Sequence, residues 1–287
     1  GRSAANTGVA SKSTTGKLIM RLQQPDSGEI LFSGANLTSL SERQMRPYRR
    51  KLQMIFQDPF SSLNPRMRVG EILSEPLLIH NLAPKREIHD RVIQLLEKVG
   101  LTADHEKRYP HEFSGGQRQR VGIARALAVQ PELIIADEPV SALDLSVQAQ
   151  ILNLLRDIQQ EHNLSYLFIA HDLSVIEHVS DRIAVMYLGQ IVELASADEL
   201  NNHPQHPYTE ALLNAIPRPD PGQPRPAALS GEIPSPVDPP SGCYFHPRCP
   251  YADEHCRAVA PELCASGNGH LVACHHADQV GRYLLGH

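Results

Sequence analysis

Short apolar runs and helix-period stripes alternate along the first three quarters of the chain. Leu52-Gln53-Met54-Ile55-Phe56, Leu133-Ile134-Ile135-Ala136 and Tyr166-Leu167-Phe168-Ile169-Ala170 are nearly unbroken, the pattern of strands buried on both faces. Leu145 to Gln160 sets Val147, Ile151, Leu154, Leu155 and Ile158 at helical spacing, which predicts an amphipathic helix. Arg182 to Tyr187 and Gln190 to Ala195 flank Leu188-Gly189 and predict a hairpin. Between Val69 and Tyr109 the period is helical and interrupts the sheet, predicting an inserted α-helical subdomain over residues 66–128 or so. Strands alternating with helices in this way predict an α/β fold with a parallel sheet.

The alternation stops near Ile216. Pro217, Pro219, Pro221, Pro224 and Pro226 predict a linker that cannot be helical, and Pro234, Pro236, Pro239 and Pro240 lead into a tail containing Cys and His. The expected division is therefore 1–216 and 217–287, and 287 residues suit one large domain with a smaller one. A net charge of −5 with no basic stripe argues against nucleic acid as a partner. The densest basic cluster, Arg46-Pro47-Tyr48-Arg49-Arg50-Lys51, reads as the solvated end of a helix. No apolar run approaches the ~20 residues a membrane span needs, and Gly1-Arg2-Ser3-Ala4-Ala5 carries no signal-like apolar region. A cytosolic chain with a peripheral membrane role is expected.

Candidate chemistry gathers at the strand ends: Gln57 after the first, Asp137-Glu138 after the second, His171-Asp172 after the third. Ligands of open α/β sheets bind at the carboxyl ends of strands, so these groups are expected to face one crevice. Two carboxylates there suit holding Mg²⁺ and polarising a water beside a nucleotide phosphate. The plain alternative is a helix N-terminus with favourable charge placement. Ser114-Gly115-Gly116-Gln117 opens a helix with backbone N–H groups free for an anion. Lys12-Ser13-Thr14 begins an apolar helical run through Leu18, Ile19, Met20 and Leu22. That is the context of a phosphate-binding loop, whose Lys reaches the β/γ-phosphates and whose hydroxyl binds Mg²⁺. Against the pattern G-x-x-x-x-G-K-[ST], Asn6 and Ser11 occupy the glycine positions with Gly8 between them. Gly8, Ser11, Lys12, Ser13 and Thr14 are the candidate cradle. Residues 1–5 hold no apolar strand to feed it, so the start of the chain is expected to be truncated or altered.

Taken in order, Ser114-Gly115-Gly116-Gln117, the strand ending in Asp137-Glu138, Ser141-Ala142-Leu143-Asp144 and His171 resemble the ATP-binding cassette (ABC) ATPases. The resemblance implies a P-loop NTPase sheet with an inserted α-helical subdomain in 1–216, its N-terminal strands missing, and ATP with Mg²⁺ as ligands. It implies that Gln57 contacts Mg²⁺ or the attacking water and couples to a membrane subunit, and that Ser13 and Asp137 hold Mg²⁺. Glu138 would be the general base and His171 a hydrogen-bond partner of the γ-phosphate. Ser114, Gly115 and Gly116, with Gln117, would close over the γ-phosphate bound to the opposite subunit, and Asp144 would sit at that dimer interface.

The tail narrows the resemblance. Gly242-Cys243-Tyr244-Phe245-His246-Pro247-Arg248-Cys249-Pro250 and Val272-Ala273-Cys274-His275 are similar to the C-terminal region of dipeptide and oligopeptide importer ATPases. So are the stretch from Gln57 to Met67 and His206-Pro207-Tyr208-Thr209. In relatives this region is associated with a [4Fe–4S] cluster, which here implies Cys243, Cys249, Cys256 and Cys274 as ligands, with Cys264 outside the set. Soft thiolates suit iron–sulfur or zinc, and His275 and His276 keep a mixed zinc site open. Disulfides, disfavoured in a cytosolic setting, and free cysteines are the remaining readings.

Three functions follow. The first is the ATP-hydrolysing subunit of a peptide importer, peripheral on the cytoplasmic face of the cell membrane. It would pair with a second ABC ATPase on two permease subunits and serve a solute-binding protein indirectly. The second, suggested by Asn6 and Ser11, is an impaired partner that lends Ser114–Gly116 to a sister ATPase. The third, a soluble cassette protein of translation or DNA repair, lacks the expected second cassette or coiled-coil insertion. A fragment that does not fold stably is a fourth possibility.

Overall fold

The computed structural model describes residues 12–58, 62–216 and 231–280. Asn6, Gly8 and Ser11 of the predicted cradle, and the prolines from Pro217 to Pro226, lie outside them. Two compact units are present, one of residues 13–171, which takes in all of the first helix but Lys12, and one of Lys12 with the residues from Asp172 onward.

The first unit begins with the helix Lys12–Ile19 and a two-residue hairpin, β1 (Leu31–Phe32) and β2 (Ala35–Asn36). Its sheet is parallel, in the order β3 (Leu52–Ile55), β4 (Leu133–Asp137), β5 (Ser165–Ile169). These are the three apolar runs read from the sequence, each within a residue or two. The register pairs Ile55 with Ala136 and Asp137 with Ile169, so the three strands end level with one another. Leu52, Met54, Ile135 and Ile169 are buried with Met20, Leu37 and Met45 in one core. Gly16 marks where the first helix meets the strands: a Cβ there would lie 3.1 Å from both Ile135 Cγ2 and Ile169 Cδ1. The predicted helical insertion is present as the helices Val69–Ile79, Ile88–Lys98 and Gly115–Leu127. The amphipathic helix runs Leu145–His162 with Ile151, Leu155 and Ile158 buried, and ends at Asn163 in the left-handed conformation.

The second unit is built on an antiparallel sheet in the order β6 (Arg182–Tyr187), β7 (Gln190–Ser196), β9 (His270–Val272), β8 (Cys264–Gly267). The predicted β6–β7 hairpin turns at Leu188 and Gly189, both with positive φ. Strand β9 pairs along β7, Glu193 opposite Val272 and Leu194 opposite Leu271, so the tail shares a sheet with residues that precede the proline-rich stretch. The pairing is pinned by charge in the core. Glu193 is fully buried and accepts from His270 Nε2 at 2.8 Å and from the backbone N–H groups of Gln205 (2.6 Å) and His206 (3.1 Å). A buried carboxylate is tolerated because it is paired and hydrogen-bonded on both oxygens.

His206 caps the helix Pro207–Asn214: its Nδ1 accepts from Tyr208 N–H at 3.0 Å, which requires a neutral ring. Burial lowers its pKa to about 3. The unfolded chain takes up this proton near pH 6.5 and the folded chain does not, so stability is lost as pH falls below that value. About 2 kcal/mol should go between pH 7 and pH 5 through this group. Thermal unfolding at the two pH values should show that loss, and His206→Asn should remove this part of the pH dependence.

Candidate functional site

The level carboxyl ends of β3, β4 and β5 bring five of the predicted residues to one place. Asp137 is the last residue of β4 and is 4 % exposed. Its Oδ1 accepts from Ser13 Oγ at 2.8 Å. The next residue, Glu138, takes a left-handed backbone conformation with φ +47°, an expense that a side chain with Cβ bears only where its surroundings enforce it. Glu138 N–H is held by Ile169 O at 2.8 Å, and the turn aims the carboxylate at the neighbouring strand ends. Gln57 Nε2 donates to its Oε2 at 2.7 Å, and His171 Nδ1 lies 3.2 Å from its Oε1. Gln57 and His171 are open to solvent, while the Glu138 side chain is 20 % exposed. The base candidate is therefore recessed between two polar arms that a ligand can reach. Lys12, at the start of the first helix, precedes Ser13 directly, and Thr14 follows it.

A second group forms around Ser114. Its side chain accepts from Gln117 N–H at 3.3 Å, and Gln117 Oε1 accepts from Ser114 N–H at 3.0 Å, a reciprocal box that fixes the helix start. Ser114 and Gly115 are exposed. Asp144 caps the helix Leu145–His162 through Val147 N–H at 3.0 Å. Leu143 and Val147 pack against this group, and in the sequence they are legible only as a motif member and a position on the amphipathic stripe; Gln148, which ties the adjoining loop, is not singled out there.

The donor sets suit the ions the resemblance implies. Ser13 Oγ, an Asp137 carboxylate oxygen and the Gln57 amide oxygen are hard oxygen ligands of the kind Mg²⁺ takes. A carboxyl group as buried as Asp137, with a hydroxyl as its hydrogen-bond donor, also suits a nearby cation.

In the tail, five cysteines are free thiols. Cys243, Cys249, Cys256 and Cys274 are brought together. Cys243 N–H donates to Cys256 O at 2.8 Å, and Gly242 permits this with φ +66°, since a Cβ there would sit 2.4 Å from that carbonyl. Burial pushes the Cys249 thiol up to about 11; a backbone N–H from Tyr251 opposes the rise and the Cys243 and Cys256 thiolates add to it. Burial likewise takes Cys274 to about 12, against the His276 N–H, with the other three thiolates adding. Cys243 and Cys256 are also raised by burial. Four neighbouring thiols that resist ionisation are a poor arrangement by themselves and a suitable one around a positive metal centre. One zinc ion would hold four sulfurs about 3.8 Å apart. Among the described residues, the group of three or more candidate ligand atoms within 4.8 Å of one another is Asp253, Cys256 and His276, not the four thiols.

Known proteins match both parts of the chain. Residues 9–141 match the ABC transporter family, and residues 192–256 match the oligopeptide/dipeptide transporter C-terminal region. The chain is 55% identical over 265 residues to the "Probable peptide ABC transporter ATP-binding protein y4tS" of Sinorhizobium fredii, covering 92% of this chain and 75% of that protein. It is 53% identical over 269 residues to the oligopeptide transport ATP-binding protein AppF of Bacillus subtilis, covering 92% and 82%. Among solved structures it is similar to the ATP-binding cassette MJ0796, a dimer bound to ADP and Pi, with TM-score 0.59 and 29% identity over 65% of this chain and 80% of that one. It is also similar to cbiO1 of Clostridium perfringens, part of the transporter complex cbiONQ, with TM-score 0.60 and 28% identity over 69% and 76%.

The thiol environment gives a test that needs no ligand. In metal-free protein at pH 7–8, Cys249 and Cys274 should alkylate far more slowly than the exposed Cys264, because they stay protonated. Their rates should climb as pH rises towards 11, which mass spectrometry of each labelled peptide would follow.

Proposed function

The chain belongs to the ABC transporter family of ATP-binding proteins, and we propose that it hydrolyses ATP to energise import of di- and oligopeptides across the cytoplasmic membrane. The observation that carries this reading is the Glu138 carboxylate, held between the Gln57 amide and the His171 imidazole beside the Ser13–Asp137 pair. Glu138 takes a proton from the attacking water, and Gln57 orients that water. His171 donates to the γ-phosphate as negative charge shifts onto the leaving oxygens. Lys12, with Ser13 and Thr14, holds the β/γ-phosphates at the first helix. Ser13, Asp137 and Gln57 would hold Mg²⁺, which would supply positive charge beside the phosphates. Ser114, Gly115, Gly116 and Gln117 act on the nucleotide of a second cassette, with Asp144 beside that seam.

No helix among the described residues is long and apolar enough to cross a membrane. Membrane coupling therefore falls to two permease subunits, with this chain peripheral on the cytoplasmic side and Gln57 as the link between site and permease. The relatives named for peptide transport support the substrate class. Nothing among the relatives favours the impaired-partner reading. In the Cys-bearing tail, Cys243, Cys249, Cys256 and Cys274 would hold a [4Fe–4S] cluster as a structural brace, a reading supported by their shared burial and their influence on one another.

Glu138→Gln should lower ATP turnover by at least about 100-fold while ATP binding persists. Turnover that survives this change would overturn the assignment of the base. Protein purified without oxygen should show a broad visible absorption that dithionite bleaches, with iron and sulfide bound. Cys249→Ser should abolish both, and a colourless protein with bound zinc would replace the cluster by a zinc site.

A further inference from the structure

Two stretches that serve different nucleotides are fastened together inside one chain. The loop leaving Glu138 is folded back on its own start: Ser141 donates to Glu138 O through its N–H at 3.3 Å and its Oγ at 3.1 Å. Leu143 N–H donates to Val140 O at 3.1 Å. Gln148, one turn into the helix Leu145–His162, spends both amide hydrogens on this loop, donating to Val140 O and Leu143 O at 3.0 Å each. The loop thus reaches Asp144 with little freedom left.

Its far end bears on Ser114–Gly116. A Cβ placed on Gly116 would lie 2.5 Å from Val147 Cγ1, and one on Gly115 would lie 3.3 Å from Leu143 Cδ2. The first distance is far inside van der Waals contact, so not even a methyl group fits at 116 while Val147 stands there. Glycine at this position therefore has a packing reason independent of any phosphate. Removing Val147 Cγ1 would leave its Cβ 3.7 Å from the same point, an ordinary contact.

We propose that Leu143 and Val147 are positioning residues that seat the Ser114–Gly116 amides at a fixed offset from Glu138, with Gln148 as the staple of that seat. The inference rests on the reading that Ser114–Gly116 serve the nucleotide of the opposite cassette. Glu138 answers to the nucleotide of its own chain.

The test is a methyl exchange in the full chain, assembled with its transporter and supplied with Mg-ATP. Gly116→Ala should lower kcat by roughly tenfold or more, because the overpacked helix start is displaced from its productive place. Val147→Ala should cost only about threefold, and the double variant should regain nearly all the loss due to Gly116→Ala, a strongly non-additive cycle. Nucleotide affinity of the chain's own site should stay within about twofold throughout, splitting kcat from binding. A double variant as inactive as Gly116→Ala, or a fully active Gly116→Ala, would overturn the proposal. Gln148→Leu adds no atom to the helix start and covers the case in which Gly116→Ala unfolds. It should cut kcat several-fold at unchanged affinity, and an unchanged kcat would count against the seat. Ser114→Ala separates the two readings. If it leaves turnover intact, the shared-site reading itself fails; if it inactivates while the methyl exchange gives no rescue, only the seat is lost.

Discussion

Level ending of three parallel strands is the constraint on which the rest of this protein depends. Parallel pairing from Leu52 with Leu133 to Asp137 with Ile169 brings three chain reversals to one edge. The polar residues that follow each strand then have nowhere else to go. The apolar interior of β4 makes the geometry stiff, and the stiffness lets Glu138 keep an unfavourable backbone angle at the point where direction matters most. A carboxylate on a looser turn would swing into solvent and lose both Gln57 and His171.

Much of this arrangement was legible in the residues, for identifiable reasons. The strands β3, β4 and β5 are short and apolar without alternation, a pattern open to few other readings, and so their ends could be named. The hairpin at Leu188-Gly189 and the helix from Leu145 carried equally plain periods. Other features left no local mark. The pairing of β9 with β7 joins residues nearly eighty positions apart, and neither Cys264–Gly267 nor His270–Val272 is long or apolar enough to announce a strand. The contact between Gly116 and Val147 is likewise a fact of three dimensions: glycine in Ser114-Gly115-Gly116 already had one sufficient explanation, and the sequence offered no sign of a second. Glu193 would be read as the exposed face of an edge strand, yet it is fully buried because an imidazole and two amides meet it.

The two halves of the chain solve the problem of buried charge differently. Around β4, Asp137 is buried against Ser13 while Glu138 is recessed between two solvent-exposed side chains. In the second unit Glu193 is completed by His270 and two backbone N–H groups and is closed to solvent. The first is unfinished chemistry and can act; the second is finished and can only hold.

Holding has its own consequence for assembly in the cell. Before the tail folds back, β7 has one side unpaired, and its ladder of N–H and C=O groups is open to any extended segment nearby. Once β9 is laid along it and His270 has met Glu193, that edge is gone. Docking of β9 thus moves the open edge from β7 outward to the four-residue strand β8.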